Sequence, residues 1–253
     1  MSGHSKWSTI KHKKGRNDAR RGKIFTKLIR EITVAAREGG GDEDSNPRLR
    51  LAVFNAKAEN MPSANIDRAI KKGIGELPGE SYEGAVYEGY GPGGVAIFVE
   101  TLTDNKNRTV SEVRHLFSKY NGSMAETGSV AWLFEQQGFI VVPKSAVDEE
   151  TLMTVALDAG AEDLLEEEDA YHIYTPLQAF DQVRKALEAE GIPFDRSELI
   201  RTPQNTVPVE GKTAKQLLVL LDAMEDCDDV QQVFANFEMD DHELEKLTSE
   251  ETS

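Results

Sequence analysis

FIVVPKSAVDEETLMTVALDAGAEDLLEEEDAYHIYTPLQAFDQVRKALEAEGIPFDRSELIRT, residues 139–202, is the stretch whose reading decides the fold. Strands are expected at Phe139–Pro143, Glu162–Glu166, Ala170–Thr175 and Ser197–Thr202, because short apolar and β-branched runs alternate there with turn-forming clusters. Helices are expected from about Glu149 to Ala159 and from about Leu177 to Glu190, where apolar residues recur every three or four positions. The order is βαββαβ, the split-βαβ or ferredoxin-like arrangement.

Outward from this unit, VYEGYGPGGVAIFVETL reads as a hairpin around a glycine-rich turn, and VAWLFE as a short strand. Between them Thr109 and Glu112 have capping-box spacing, so a helix is expected from about Val110 to Tyr120, stopped by Asn121-Gly122. After residue 203 the helix KTAKQLLVLLDAME and the strand VQQVFANFEM supply what the hairpin unit lacks. One α/β domain, 81–135 with 204–240, is therefore expected to be interrupted by a ferredoxin-like α/β domain at 136–203, followed by a polar tail at 241–253. Insertion is sterically natural because domain termini commonly lie together at the surface.

Residues 1–80 read as a basic helical domain. Phe25, Leu28, Ile29, Ile32 and Ala36 recur at helical spacing before Gly39-Gly40-Gly41. Asn46-Pro47 opens a second helix to about Asn60, and Ser63 caps a third that stops at Gly73. The fold class is thus α+β multidomain: three helices, then two α/β domains, the second inserted in the first.

The charge is divided along the chain. The formal net charge is -16, yet residues 1–80 carry 17 Lys+Arg against 10 Asp+Glu, whereas residues 81–253 carry 12 against 35. An acidic body repels polyanions, so any nucleic-acid contact is confined to the basic end, where local charge governs counterion release. Arg16, Arg20, Lys23, Lys27 and Arg30 step by four, three, four and three, on the side of a helix away from its apolar stripe. Ser2 to Arg37 holds 11 Lys+Arg but only Asp18 and Glu31, so neutralisation must come from elsewhere. Phosphates could supply it, or the acidic body could fold back on the stripe. The candidate nucleic-acid-binding residues are Lys6, Trp7, Lys11, Lys13, Lys14, Arg16, Arg20, Arg21, Lys23, Lys27 and Arg30. Trp7 either stacks on an unpaired base or pins the arm onto the helices.

The sequence carries little that reads as catalytic or ligand-binding chemistry. GYGPGG joins two strands and lacks a Walker lysine, so it reads as a hairpin turn and not a phosphate cradle. DNKNR places Lys106 at a calcium-ligand position and reads as a capping turn. The single cysteine, Cys227, excludes an intrachain disulfide, and His115, His172 and His242 form no readable triad. No catalytic residue, metal site, cofactor or small-molecule substrate is expected. Neither is a membrane partner: no apolar run reaches spanning length and no secretory signal opens the chain, so a cytoplasmic location is expected. The glycine-bounded loop NGSMAETGS is a candidate functional loop, with Gly122, Ser123, Met124 and Thr127 as its residues. The oligomeric state is not legible.

GHSKWSTIKHKKGRNDARRGKIFTKLIREI, NPRLRLAVFNAKAENMPSANIDRAIKKG and YEGYGPGGVAIFVETLTDNKNRTVSEVRHLFSKYNGSMAETGSVAWLFEQQG closely resemble the YebC family, which includes bacterial proteins and the mitochondrial translational activator of cytochrome c oxidase. The resemblance spans nearly the whole chain. It implies a helical basic domain plus two α/β domains, one inserted in the other. It also implies a non-enzymatic regulator of gene expression: a DNA-binding transcriptional regulator, or alternatively a ribosome- and RNA-binding translation factor assisting synthesis of proline-rich stretches. A third reading, from charge alone, is a protein-protein adaptor whose acidic body is the working surface and whose basic arm clamps it.

Overall fold

The structure is a computed structural model that describes Gly3, Trp7 and residues 18–250. Three helices, α1 (Asp18–Gly39), α2 (Pro47–Ala58) and α3 (Ser63–Gly73), form the amino-terminal unit. Their core is Ile32, Ala35, Leu49, Val53, Met61 and Ile66, with Phe25, Leu28 and Ile29 packed beside it. Each buried Ile, Leu, Val or Met side chain of this core contributes about 1.5–3 kcal/mol. Asn46 caps α2 by accepting from the Leu49 N–H at 3.1 Å, and its amide donates back to the Ala35 and Gly40 carbonyls at 2.8 Å, tying α2 to the end of α1. Ser63 does not cap α3; it is the first helical residue, and the preceding Pro62 offers no side-chain cap.

The second unit is a four-stranded sheet in the order β3 (Ser123–Met124), β1 (Glu83–Tyr90), β2 (Ala96–Thr103), β9 (Val230–Ala235), in which every pairing is antiparallel. The hairpin β1 (Glu83–Tyr90) and β2 (Ala96–Thr103) is joined through Gly91 and a 3-10 turn at Pro92–Gly94, as the glycine-rich sequence predicts. Helix α4 (Lys106–Lys119) follows, capped by Asn105 accepting from the Arg108 N–H. Capping therefore falls four residues earlier than the Thr109-Glu112 spacing predicts; the Thr109 hydroxyl is used in a tertiary contact instead. Strand β3 is Ser123–Met124. The VAWLFE segment is not one strand: Ala131–Leu133 is a 3-10 turn, and Phe134 already begins β4.

The third unit comprises β4 (Phe134–Pro143), α5 (Glu149–Asp158), β5 (Asp163–Glu166), β6 (Ala170–Pro176), α6 (Phe180–Ala189) and β7 (Arg196–Pro203). Its sheet order, β5-β6-β4-β7, is fully antiparallel and is the order a ferredoxin-like unit requires. Ile140, Val142 and Ile173 on one face bury against Leu152, Val183 and Leu187 of the helices.

The chain then returns to the second unit. After β8 (Val207–Pro208), α7 (Gly211–Glu225) lays Leu217, Leu218 and Leu221 on the first sheet, and β9 (Val230–Ala235) completes it beside β2. A short parallel pair joins β10 (Phe237–Glu238) to β8. The expected polar tail contains a helix, α8 (Asp241–Glu250), because Leu244 buries in the core of the second unit with Leu247 packed against it.

Candidate nucleic-acid interface

On α1 the apolar and cationic residues separate as the helical period dictates. Phe25, Leu28, Ile29 and Ile32 face α2 and α3. The opposite side, at Lys23, Lys27 and Arg30, is only partly open to solvent. It meets the end of α7 and the turn Glu225-Asp226-Cys227-Asp228-Asp229. The Lys23 ammonium donates to the Asp226 carbonyl at 3.1 Å and lies 3.4 Å from its carboxylate. The Lys27 ammonium donates to the Glu225 carbonyl at 2.7 Å. Arg30 donates to the Asp228 carbonyl at 2.6 Å, the Leu102 carbonyl at 3.1 Å and the Asp229 carboxylate at 2.7 Å. Lysine and arginine at these positions also complement the negative end of the α7 dipole. Of the two partners that the charge count left open for the stripe, the acidic body therefore holds these three residues in the free molecule.

Asp229 is the anchor of this contact. Its side chain is 3% exposed and accepts from Arg30, from Arg108 at 2.9 Å and from the Thr109 hydroxyl at 2.6 Å. Burial opposes its charge, but the hydrogen bonds from Thr109, Arg108 and Arg30 together outweigh burial and hold the carboxyl below the usual aspartate range. Beside it the Cys227 thiol is buried, and that burial pushes its pKa up to about 11.

Trp7 is 1% exposed and sits in the core of the second unit with Phe117, Leu218 and Phe237. The indole is thus buried and not stacked on a base, but it packs in the α/β unit and not onto the amino-terminal helices, where the sequence reading placed its alternative role. Lys6, Lys11, Lys13, Lys14 and Arg16 lie outside the described residues, and of Arg20 only the backbone is described. Arg21 is exposed, its guanidinium 5.3 Å from the Phe25 ring.

The sequence reading passed over the cations of α3. Arg68, Lys71 and Lys72 stand at i, i+3 and i+4, so they share one face of the helix, and all three are exposed. None has a carboxylate partner among the described residues. Their spacing was visible in ANIDRAIKKG, but Lys71 and Lys72 also suit the last turn of a helix, which masks the signal.

At the far end of the second unit, the loop holding Gly122, Ser123, Met124 and Thr127 is built on Glu88. This carboxylate is buried and accepts from the backbone N–H groups of Gly128 and Val130 at 2.7 Å and of Ala131 at 2.8 Å. Burial alone would raise its pKa, but the three N–H donors lower it further than burial lifts it. Ser123 and Met124 pair with Tyr90 and Gly89 of β1, and Gly122 packs against the Tyr90 carbonyl so closely that a Cβ would stand 2.7 Å from it. Trp132, 66% exposed, donates to the Ser129 carbonyl at 3.1 Å. The loop is held on the second unit by these bonds to β1 and Glu88.

Between α1, α2 and the open faces of the two sheets runs a groove of about 1680 Å³. Its walls mix signs: Arg21, Lys23, Lys27 and Arg201 are met by Glu100, Asp181, Glu225 and Asp226. Arg201 stacks 4.3 Å from the Phe98 ring and pairs with Glu100 at 2.7 Å, joining the two sheets. Arg184 lies 5.1 Å from the Phe54 ring, so that α2 closes on α6. Among the described residues no group of three His, Cys, Asp or Glu is disposed to hold a metal ion, and no helix is long and apolar enough to cross a membrane.

The chain is similar to known proteins over nearly its whole length. Residues 5–76 match the family model described as the TACO1/YebC protein N-terminal domain, and residues 82–237 match the TACO1/YebC second and third domain. A probable transcriptional regulatory protein of Geobacter sulfurreducens is 59% identical over 247 residues, covering 98% of this chain and 100% of its own length. One of Desulfosudis oleivorans is 57% identical over 241 residues, covering 95% and 98%. The crystal structure of a conserved hypothetical protein from Aquifex aeolicus superposes with a TM-score of 0.85 at 50% identity, covering 93% of this chain and 98% of that one. With both family models matched and full-length relatives well above half identical, the chain belongs to the TACO1/YebC family.

Proposed function

We propose that the protein is a non-enzymatic, cytoplasmic regulator of gene expression that binds nucleic acid through its amino-terminal domain, as a DNA-binding transcriptional regulator. The observation that carries this reading is the cation cluster Arg68, Lys71 and Lys72, exposed and without carboxylate partners among the described residues, on a chain whose remainder is strongly acidic. Such cations contact phosphates, which position a protein without reading sequence. The printed names of the relatives, probable transcriptional regulatory proteins, support a regulatory role.

A second reading, a ribosome- or RNA-binding translation factor, is favoured by a specific feature: Lys23, Lys27 and Arg30 on the cationic stripe of α1 are held by the acidic turn, so α1 is not presented as a recognition helix for a major groove. The test is a binding series across salt with duplex DNA, structured RNA and ribosomes, for the native chain and for Arg68→Gln/Lys71→Gln/Lys72→Gln. Each lost phosphate contact lowers the log-log salt slope on duplex DNA by about 0.9. An unchanged slope overturns α3 as the contact surface. Complete displacement from duplex DNA by ribosomes overturns the transcriptional reading in favour of the translational one.

A further inference from the structure

Resting on the nucleic-acid reading only for its natural ligand, we propose that Lys23 and Lys27 form a phosphate-binding site that the molecule's own acidic turn occupies in the free state. The two lysines lie one helical turn apart on α1 and each grips an oxygen of the α7 terminus: the carbonyls of Asp226 and Glu225, with the Asp226 carboxylate beside the first. The turn supplies four carboxylates in five positions, Glu225 to Asp229, at the negative end of a helix dipole. It thus offers a run of closely spaced anionic oxygens, as a polyphosphate backbone does.

The contact has a fixed end and an exchangeable end. Arg30 and Asp229 have side chains 12% and 3% exposed, a buried pair that holds α1 in place. Lys23 and Asp226 are 43% and 65% exposed. A pair that open to water is weak, screened by salt and readily exchanged for another anion. Lys23, Lys27, Glu225 and Asp226 also line the interdomain groove, so a polyanion can approach the lysines without dismantling the Arg30 contact. The acidic turn is then a built-in competitor that sets the threshold for binding.

The test uses the full chain with two probes, long-chain inorganic polyphosphate and nucleic acid as both duplex DNA and single-stranded RNA. Asp226→Asn/Asp228→Asn removes two exposed carboxylates from the turn. Glu167→Gln/Glu168→Gln, in the β5–β6 turn, makes the same change of net charge elsewhere. The expected result is about a two- to tenfold rise in polyphosphate affinity for the first variant at low salt, converging on the native value at high salt, and less than twofold for the second. The gain should vanish when Lys23→Gln/Lys27→Gln is added. Equal effects of the two charge variants, or a gain that survives loss of both lysines, overturn the proposal. If polyphosphate shows the gain but neither nucleic acid binds, the occupied site stands and the nucleic-acid reading falls. If no polyanion binds any of these proteins, both fall.

Discussion

Two segments distant in sequence converge on Asp229 in the turn before β9: Arg30 of α1, and Arg108 and Thr109 of α4. Breaking such a buried arrangement from one side leaves cations uncompensated, so Asp229→Asn is expected to cost about 3–5 kcal/mol, read as a lower urea midpoint. Because the folded carboxyl is held below its unfolded range, its contribution is present at neutral pH and is lost as pH falls through the folded value. The gap between native and variant stability should therefore close on acidification below about pH 4, where an unfolded aspartate protonates. Glu88→Gln is a second test at this scale. The amide turns an N–H₂ toward backbone donors that need an acceptor, for a cost of about 1–3 kcal/mol and faster amide exchange at Gly128, Val130 and Ala131. Trp7→Ala should behave as a core deletion, losing about 3–5 kcal/mol of stability, because the indole is fully buried in the core of the second unit.

Elements were legible where a local period reports them. The ferredoxin-like strands and helices follow from apolar spacing within residues 139–202, and the observed sheet order is the one that a ferredoxin-like unit has. The two faces of α1 were legible for the same reason. What faces them was not, because Lys23 and Asp226 are 203 positions apart and a sequence carries no mark of which carboxylate arrives. Thr109 illustrates the opposite failure: its local spacing with Glu112 suits a cap, but Asp229 competes for the hydroxyl and Asn105 caps the helix instead. The helix in the polar tail was missed because only Leu244 and Leu247 of it are apolar enough to reach the core. A prediction at this scale concerns Gly138 in β4. A Cβ there would stand 2.2 Å from the Phe180 ring and 2.4 Å from the Thr175 hydroxyl, so Gly138→Ala should force α6 off the sheet, lowering stability by about 1–3 kcal/mol in denaturant titration.

At the scale of the whole molecule, the basic amino-terminal unit is neutralised on one side by the acidic turn and open on another, at α3. Of the candidate interface, the one-sided distribution of charge was readable from the sequence; its division into an occupied face and a free face needed the assembled chain. Leu51 and Phe54 pack on the core of the ferredoxin-like unit with Arg184 over the Phe54 ring, and Phe98, Phe134, Phe234 and Ile200 form a small apolar cluster between the two sheets beside Arg201, so the units hold one another through apolar seams as well as through the Arg30–Asp229 pair. The return of the chain to its first sheet also has a consequence during synthesis. Strand β2 emerges early, yet its partner β9 is translated only after the entire ferredoxin-like unit, so one edge of the hairpin stays bare on the ribosome while a later domain matures. Nascent-chain capture should find that unit protease-resistant before the sheet enclosing it, with the hairpin guarded against mispairing only by the speed with which residues 230–235 follow.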